Sequence, residues 1–175
     1  MIPLNSASAT ATSGALTWSR ISCNRRHELK LNGELVGEMT RPSIWSQSFV
    51  AETQHGRWTF RRKGFFATGA EIVDAVTQQQ IATFKSEWGS RGVLTFADGQ
   101  VFGLTCKGWW RPVWTVTTES GQPVLQVDVR EKAVEPAAAA SLPEGRLSLL
   151  MMFTLYRILQ AEEDAASAAL VAAVS

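Results

Sequence analysis

From Leu147 to Leu159 the chain reads Leu-Ser-Leu-Leu-Met-Met-Phe-Thr-Leu-Tyr-Arg-Ile-Leu, apolar on every face of a helical wheel. Such a helix has no side to turn to water and must be surrounded by lipid or by protein. About 14 helical residues reach about 21 Å, short of the roughly 30 Å hydrocarbon slab, so protein is the expected surround. No window approaches the roughly 18 uncharged apolar residues a membrane span needs, and no transmembrane span is expected. The chain has 175 residues, one domain's worth, and its own strands are the first candidate for the enclosing material.

Turn chemistry supplies it. Asn32-Gly33, His55-Gly56, Thr77-Gln78, Asp98-Gly99 and Ser120-Gly121 recur at intervals close to 22 residues. Their flanks are β-branched and aromatic, as in Arg57-Trp58-Thr59-Phe60 and Val113-Trp114-Thr115-Val116, which is hairpin patterning. A second set of breakers falls midway, at Arg41-Pro42-Ser43, Arg62-Lys63-Gly64, Trp88 to Gly92 and Lys107-Gly108 through Pro112, and doubles the strand count. About ten strands follow between Leu29 and Arg130, and Leu16 to Ser22 adds one or two. A three-residue, bulged loop is expected at Asn32-Gly33, setting Leu35 and Met39 against Leu29 and Leu31.

Strands of about eight residues tilted by some 40° give a barrel about 20 Å high, the length of the apolar helix. Eight strands are filled by their own side chains and sixteen leave a channel, so ten to twelve suit one enclosed helix. The expected fold is mainly β: an antiparallel, roughly 12-stranded closed barrel of consecutive hairpins around a hydrophobic C-terminal helix. Residues 1–15 read as a flexible arm, 16–165 as the barrel with a helix at about 142–163, and 166–175 as an Ala-rich tail or frayed helix. Ala133 to Ala140 reads as a loop, and Ser141-Leu142-Pro143-Glu144 as a capping box. Arg157, inside the apolar run, is expected near the mouth, paired with Glu162, Glu163 or Asp164 or reaching water.

Local text adds a family resemblance. Trp58-Thr59-Phe60-Arg61-Arg62-Lys63-Gly64, Glu71-Ile72-Val73-Asp74, Ile81-Ala82-Thr83-Phe84-Lys85, Gly92 to Gly99 and the Leu-Met-rich helix follow an order that resembles the tubby C-terminal-like superfamily. That superfamily includes phospholipid scramblases and plant LURP-one-related proteins. The resemblance covers roughly residues 16 to 165 and implies a barrel around a central helix, with phosphoinositide binding by basic wall residues as in tubby proteins. The cysteine-rich and acidic calcium-binding stretches of scramblases are absent, so calcium-driven scrambling is not implied.

Little in the chain points to catalysis. There is no HExxH, GxSxG, phosphate loop or CxxC, and the two histidines and two cysteines are scattered. His27 reads as a turn residue beside Arg25 and Arg26, His55 as another, and Cys23 and Cys106 as small buried hydrophobes. No metal and no cofactor are expected, and the chain reads as a non-enzyme.

Net charge is only +1, which gives no sign of a nucleic-acid partner. The charge is uneven, however: Arg20 to Lys63 holds nine basic and four acidic residues. Arg57 and Arg61 on an outer strand face, with Arg62 and Lys63 at its turn, are candidates for an anionic phospholipid head group. A solvated strand face is the competing reading, with Glu52 placed opposite Thr59 and able to neutralise part of the patch. Trp45, Trp109 and Trp110 are candidates for a protein interface or self-association, one of the Trp109-Trp110 pair pointing into the core. The expected location is cytoplasmic, peripheral to membrane if lipid is the ligand.

Overall fold

The computed structural model describes residues 15–22, 26–43, 45–63, 69–87, 91–137 and 142–174. Twelve antiparallel strands follow one another: β1 (Leu16–Ser22), β2 (Arg26–Leu31), β3 (Glu34–Thr40), β4 (Phe49–Thr53), β5 (Gly56–Lys63), β6 (Gly69–Asp74), β7 (Gln80–Glu87), β8 (Arg91–Phe96), β9 (Val101–Lys107), β10 (Val113–Thr118), β11 (Pro123–Asp128) and β12 (Ala133–Pro136). Each pairs with its neighbours in the chain, and β12 returns to β1 through Leu16–Val134 and Thr17–Ala133, closing the barrel. The last element, α1 (Glu144–Val174), enters one rim of the barrel and leaves by the other.

The strand period of two decides what fills the lumen. Trp58 and Phe60 of β5, Ala82 and Phe84 of β7, Leu94 and Phe96 of β8, and Trp114 and Val116 of β10 all point inward and are buried. Their payload is α1, whose residues from Ser148 to Gln160, Arg157 excepted, are all buried, on every face of the helix. The Phe153 ring sits 5.7 Å from Phe60, 5.3 Å from Phe84 and 5.8 Å from Tyr156. Small inward positions make the room. A Cβ on Gly37 would stand 3.1 Å from the Met152 sulfur, and one on Gly92 would stand 2.1 Å from the Phe84 ring. The interior gap lined by Leu94, Phe102, Leu150 and Phe153 holds only about 10 Å³, too little for more than one water. The lumen there is a packed core, with no chamber for a ligand.

The hydroxyls that the helix carries into this core are satisfied locally. Ser148 Oγ donates to the Glu144 carbonyl and Thr154 Oγ1 to the Leu150 carbonyl, both at 2.8 Å. The Tyr156 hydroxyl accepts from the Gln160 amide, and burial pushes its pKa up to about 12.

Several local expectations need correction. The loop at Asn32-Gly33 has two residues, both at positive φ as a tight hairpin requires, and the bulge lies further along, between Leu29 and Lys30. The extra residue shifts the β3 register: Val36 joins Met39 inside, and Leu35 is only half-buried. Ala133 to Pro136 is the closing strand, with Val134 buried, in what the sequence reads as loop. His27 lies in β2, 2% exposed, its ring 6.3 Å from Trp18. The first helical bonds run from Arg146 and Leu147 to the Pro143 carbonyl, so Glu144 opens the helix and is not the third residue of a capping box. The arm at 1–14, Cys23, Ile44, Trp88, Ser141 and Ser175 lie outside the described residues.

The helix does not end near 163. It continues unbroken to Val174, although nearly every residue from Ala161 onward is exposed. Alanine has the highest helix propensity of any residue, so this Ala-rich stretch holds the conformation without packing.

Candidate functional site: the helix exit rim

Strand direction sorts the loops into two rims. The β2–β3, β4–β5, β6–β7, β8–β9 and β10–β11 turns surround the helix entrance, and the remaining connections surround its exit. At the entrance, His55 Nε2 lies 3.3 Å from Glu144, and Arg146 stacks 3.7 Å over the Phe96 ring while bonding Asp98. An open cleft of about 400 Å³ lies beside Arg146, bordered by Asp74, Gln80 and Asp98.

The exit is built around three ion pairs from separate strands and loops. Arg20 of β1 reaches Glu162 at 3.0 Å, Arg41 after β3 reaches Glu163, and Arg62 of β5 reaches Asp164 at 2.8 Å. The three consecutive carboxylates at the point where α1 leaves the core are thus each matched by an arginine. Arg157 takes none of them. Its guanidinium donates to Gln160 and to Ser86 Oγ at 3.4 Å and lies 4.7 Å over the Phe84 ring. Burial lowers its pKa, and the neighbouring Arg62 adds to that. Helix spacing explains the partner: the residues three and four positions on are Gln160 and Ala161, neither acidic.

The exit rim also carries the tryptophans. Trp45 is 87% exposed, Trp109 89% and Trp110 88%. Both residues of the pair face solvent, contrary to the expectation of one core position, because they lie between β9 and β10 where strand alternation does not operate. Trp45 lies in the β3–β4 connection, half the ring away from the β9–β10 connection. The exposed indoles therefore stand on opposite sides of the mouth, about 20 Å apart for a barrel of this strand number. Beside Trp45 a groove of about 280 Å³ is bordered by Arg41, Phe49, Arg62, Glu163 and Ser167, so Trp45 stands level with the emerging helix.

Charge is polarised in the same sense. Lys63, Arg91, Lys107, Arg111, Arg130 and Lys132 lie at the exit rim, and Glu34, Glu52, Asp74, Asp98, Glu119 and Glu135 at the entrance. Among the described residues, cations outnumber carboxylates at the exit and the reverse holds at the entrance. Arg111 is tied to Asp128 at 2.7 Å and Glu131 at 3.6 Å; the hydrogen bond and charge of Asp128 raise its pKa.

The four basic residues singled out on β5 do not form one cluster. Arg57 and Arg61 point outward, Arg57 at the entrance with Glu52 at 3.6 Å and Arg61 donating to Gln78 at 3.2 Å. Arg62 turns into the exit mouth toward Asp164, and Lys63 lies 3.8 Å from Glu71. Arg57 and Lys63 are about 20 Å apart along the strand, too far to serve one head group. Glu52 faces Arg57 and not Thr59, because the Gln54-His55 loop pairs Thr53 with Gly56. Glu52 and Glu71 thus offset two of the four charges directly.

Among the described residues no group of His, Cys, Asp and Glu could hold a metal ion, and no helix is long and apolar enough to cross a membrane. Cys106 is half-buried and free, and burial pushes its thiol up, away from the nucleophilic form. Sequence reasoning missed Arg20 and Arg41 as exit-rim residues. The signal was present in Glu162-Glu163-Asp164 directly after the apolar run, which requires cations on the surrounding rim. Compared with protein families, curated proteins and solved structures, the chain matches none.

Proposed function

We propose that this barrel is a non-enzymatic scaffold that associates peripherally, from the cytoplasmic side, with membrane surfaces carrying anionic phospholipid, and that it does so with the helix exit rim. The observation that carries this reading is the placement of Trp45 and of Trp109-Trp110, almost wholly exposed, on opposite sides of one rim. Anchors about 20 Å apart are met together by a broad flat surface and not by a small ligand. Indole rings favour the bilayer–water interface, and the cations of the same rim favour an anionic leaflet at about 1 kcal/mol per residue near the surface. Lys63 belongs to this surface and Arg61 to the wall below it. Arg62 holds the helix, and Arg57 lies at the far rim with Glu52. The resemblance to tubby-like proteins agrees with a lipid ligand but places it on the barrel wall, whereas this reading places it on the rim.

Co-sedimentation with vesicles tests it. Binding is expected to phosphatidylcholine vesicles containing phosphatidylserine, to weaken with added salt, and to fall in a Trp45→Ser, Trp110→Ser double variant that keeps its melting temperature. Equal behaviour on neutral and anionic vesicles refutes the electrostatic part. A variant that loses self-association or a protein partner, with vesicle binding unchanged, assigns the tryptophans to a protein interface instead.

A further inference from the structure

Beyond Asp164, α1 presents ten residues, Ala165 to Val174, with no charge and with Ser167 the only polar side chain. Leu170 is 72% exposed and Val171 71%. Elsewhere in the barrel large apolar side chains are mostly buried, and besides the rim tryptophans only Ile21 and Val76 are exposed to a comparable degree among the described residues. An uncharged helix end that carries Leu170 and Val171 into solvent, at the rim that bears the three exposed tryptophans, is an apolar surface in want of a cover.

Resting on the reading above, we propose that the exposed end of α1 is a shallow membrane-insertion element, with Leu170 and Val171 entering the outer part of an anionic leaflet when the exit rim docks. Depth supports this occupant. Trp45 borders one groove with Gln160, Glu163 and Ser167, so the helix beyond Ser167 extends past that groove. From there to Val174 is about 10 Å at 1.5 Å per residue. With the indole at the head groups, the helix end reaches the roughly 5–10 Å at which interfacial helices place their apolar residues. Charge supports it as well. Glu162, Glu163 and Asp164, which an anionic leaflet repels, are each held by an arginine at the point where the helix leaves the barrel.

The test uses the full chain with Cys23 and Cys106 changed to serine and a single new cysteine, Leu170→Cys or, at the opposite rim, Val76→Cys, carrying an environment-sensitive fluorophore. On mixed phosphatidylcholine–phosphatidylserine vesicles the probe at position 170 is expected to brighten several-fold, with stronger quenching from head-group-level than from deep acyl spin labels, and the probe at 76 to stay unchanged. Leu170→Glu is expected to weaken vesicle binding at least about tenfold without moving the melting temperature. Sedimentation with the vesicles and no change at position 170 overturns insertion and leaves docking standing. Absence of sedimentation overturns both. Brightening with protein concentration in the absence of lipid overturns insertion and assigns the segment to a second copy of the chain.

Discussion

Replacing Leu149, Leu150, Met151, Met152 and Phe153 one at a time by alanine tests the enclosed helix directly. Five consecutive helical residues advance by about 100° each and so sample every direction around the axis. All five are at most 3% exposed. Each truncation removes apolar volume from a core whose existing gap beside Leu150 and Phe153 is already only about 10 Å³, and a closed ring of strands has little freedom to collapse inward. The expected losses are about 2–5 kcal/mol for the leucines and methionines and about 3–5 kcal/mol for Phe153, which meets three aromatic rings. For a chain of this length, 1 kcal/mol moves the melting temperature by about 2–4 °C, so Phe153→Ala is expected to melt about 6–20 °C below the parent. Thermal and urea unfolding followed by far-UV circular dichroism reads all five. The distinguishing result is the pattern and not the size of any one change. A helix lying on the outside of a sheet has a solvent face, and at least one of five successive positions there costs under about 0.5 kcal/mol. Such a silent position would refute enclosure.

Gly92→Ala is expected to destabilise by about 1–3 kcal/mol in the same assay, because its Cβ falls 2.1 Å from the Phe84 ring and 2.8 Å from the Lys85 carbonyl oxygen. Tyr156 is the one tyrosine in the chain and is held to about pH 12 by burial, so the unfolded chain ionises at lower pH than the folded one. Stability is therefore expected to fall as pH rises from about 10 toward 12, with tyrosinate absorbance appearing together with unfolding; reversible ionisation near pH 10 with the fold intact would contradict the buried hydroxyl. Asp98 is held below its ordinary value of 3.8 by the Gln100 backbone N–H and, secondarily, by Arg146. Its contribution is present above that value and lost as pH falls through the lowered one, so Asp98→Asn is expected to flatten part of the decline in melting temperature between neutral and strongly acid pH. An unchanged acid limb would remove Asp98 from that account.

The barrel and its filling were legible because both signals are long. A hydrophobic run with no polar face admits few surroundings, and glycine turns at a steady spacing set the number of hairpins. The short elements were not legible. Ala133 to Pro136 looks like a linker by composition, and it forms a strand because β1 and β11 each offer an open edge on either side of it. The exit rim was legible only in pieces. Trp45, Trp109 and Trp110 stood out, but nothing local says that connections so distant in the chain meet one rim; ring order does that. Arg57, Arg61, Arg62 and Lys63 look like one patch in the sequence, and alternation together with strand length separates them. The arginine partners of Glu162, Glu163 and Asp164 depend on which strand ends surround the helix, which no local pattern records.

The helix that fills this barrel is made after all twelve strands. A ribosome delivers all twelve strands, with Phe60, Phe84 and Phe102 turned toward an empty lumen, before Leu149 to Leu159 can enter. Closure by β12 against β1 joins early chain to late chain as well. The growing polypeptide thus carries an open apolar trough until the helix is made, and seating it joins segments far apart in sequence, a step exposed to aggregation until it is complete.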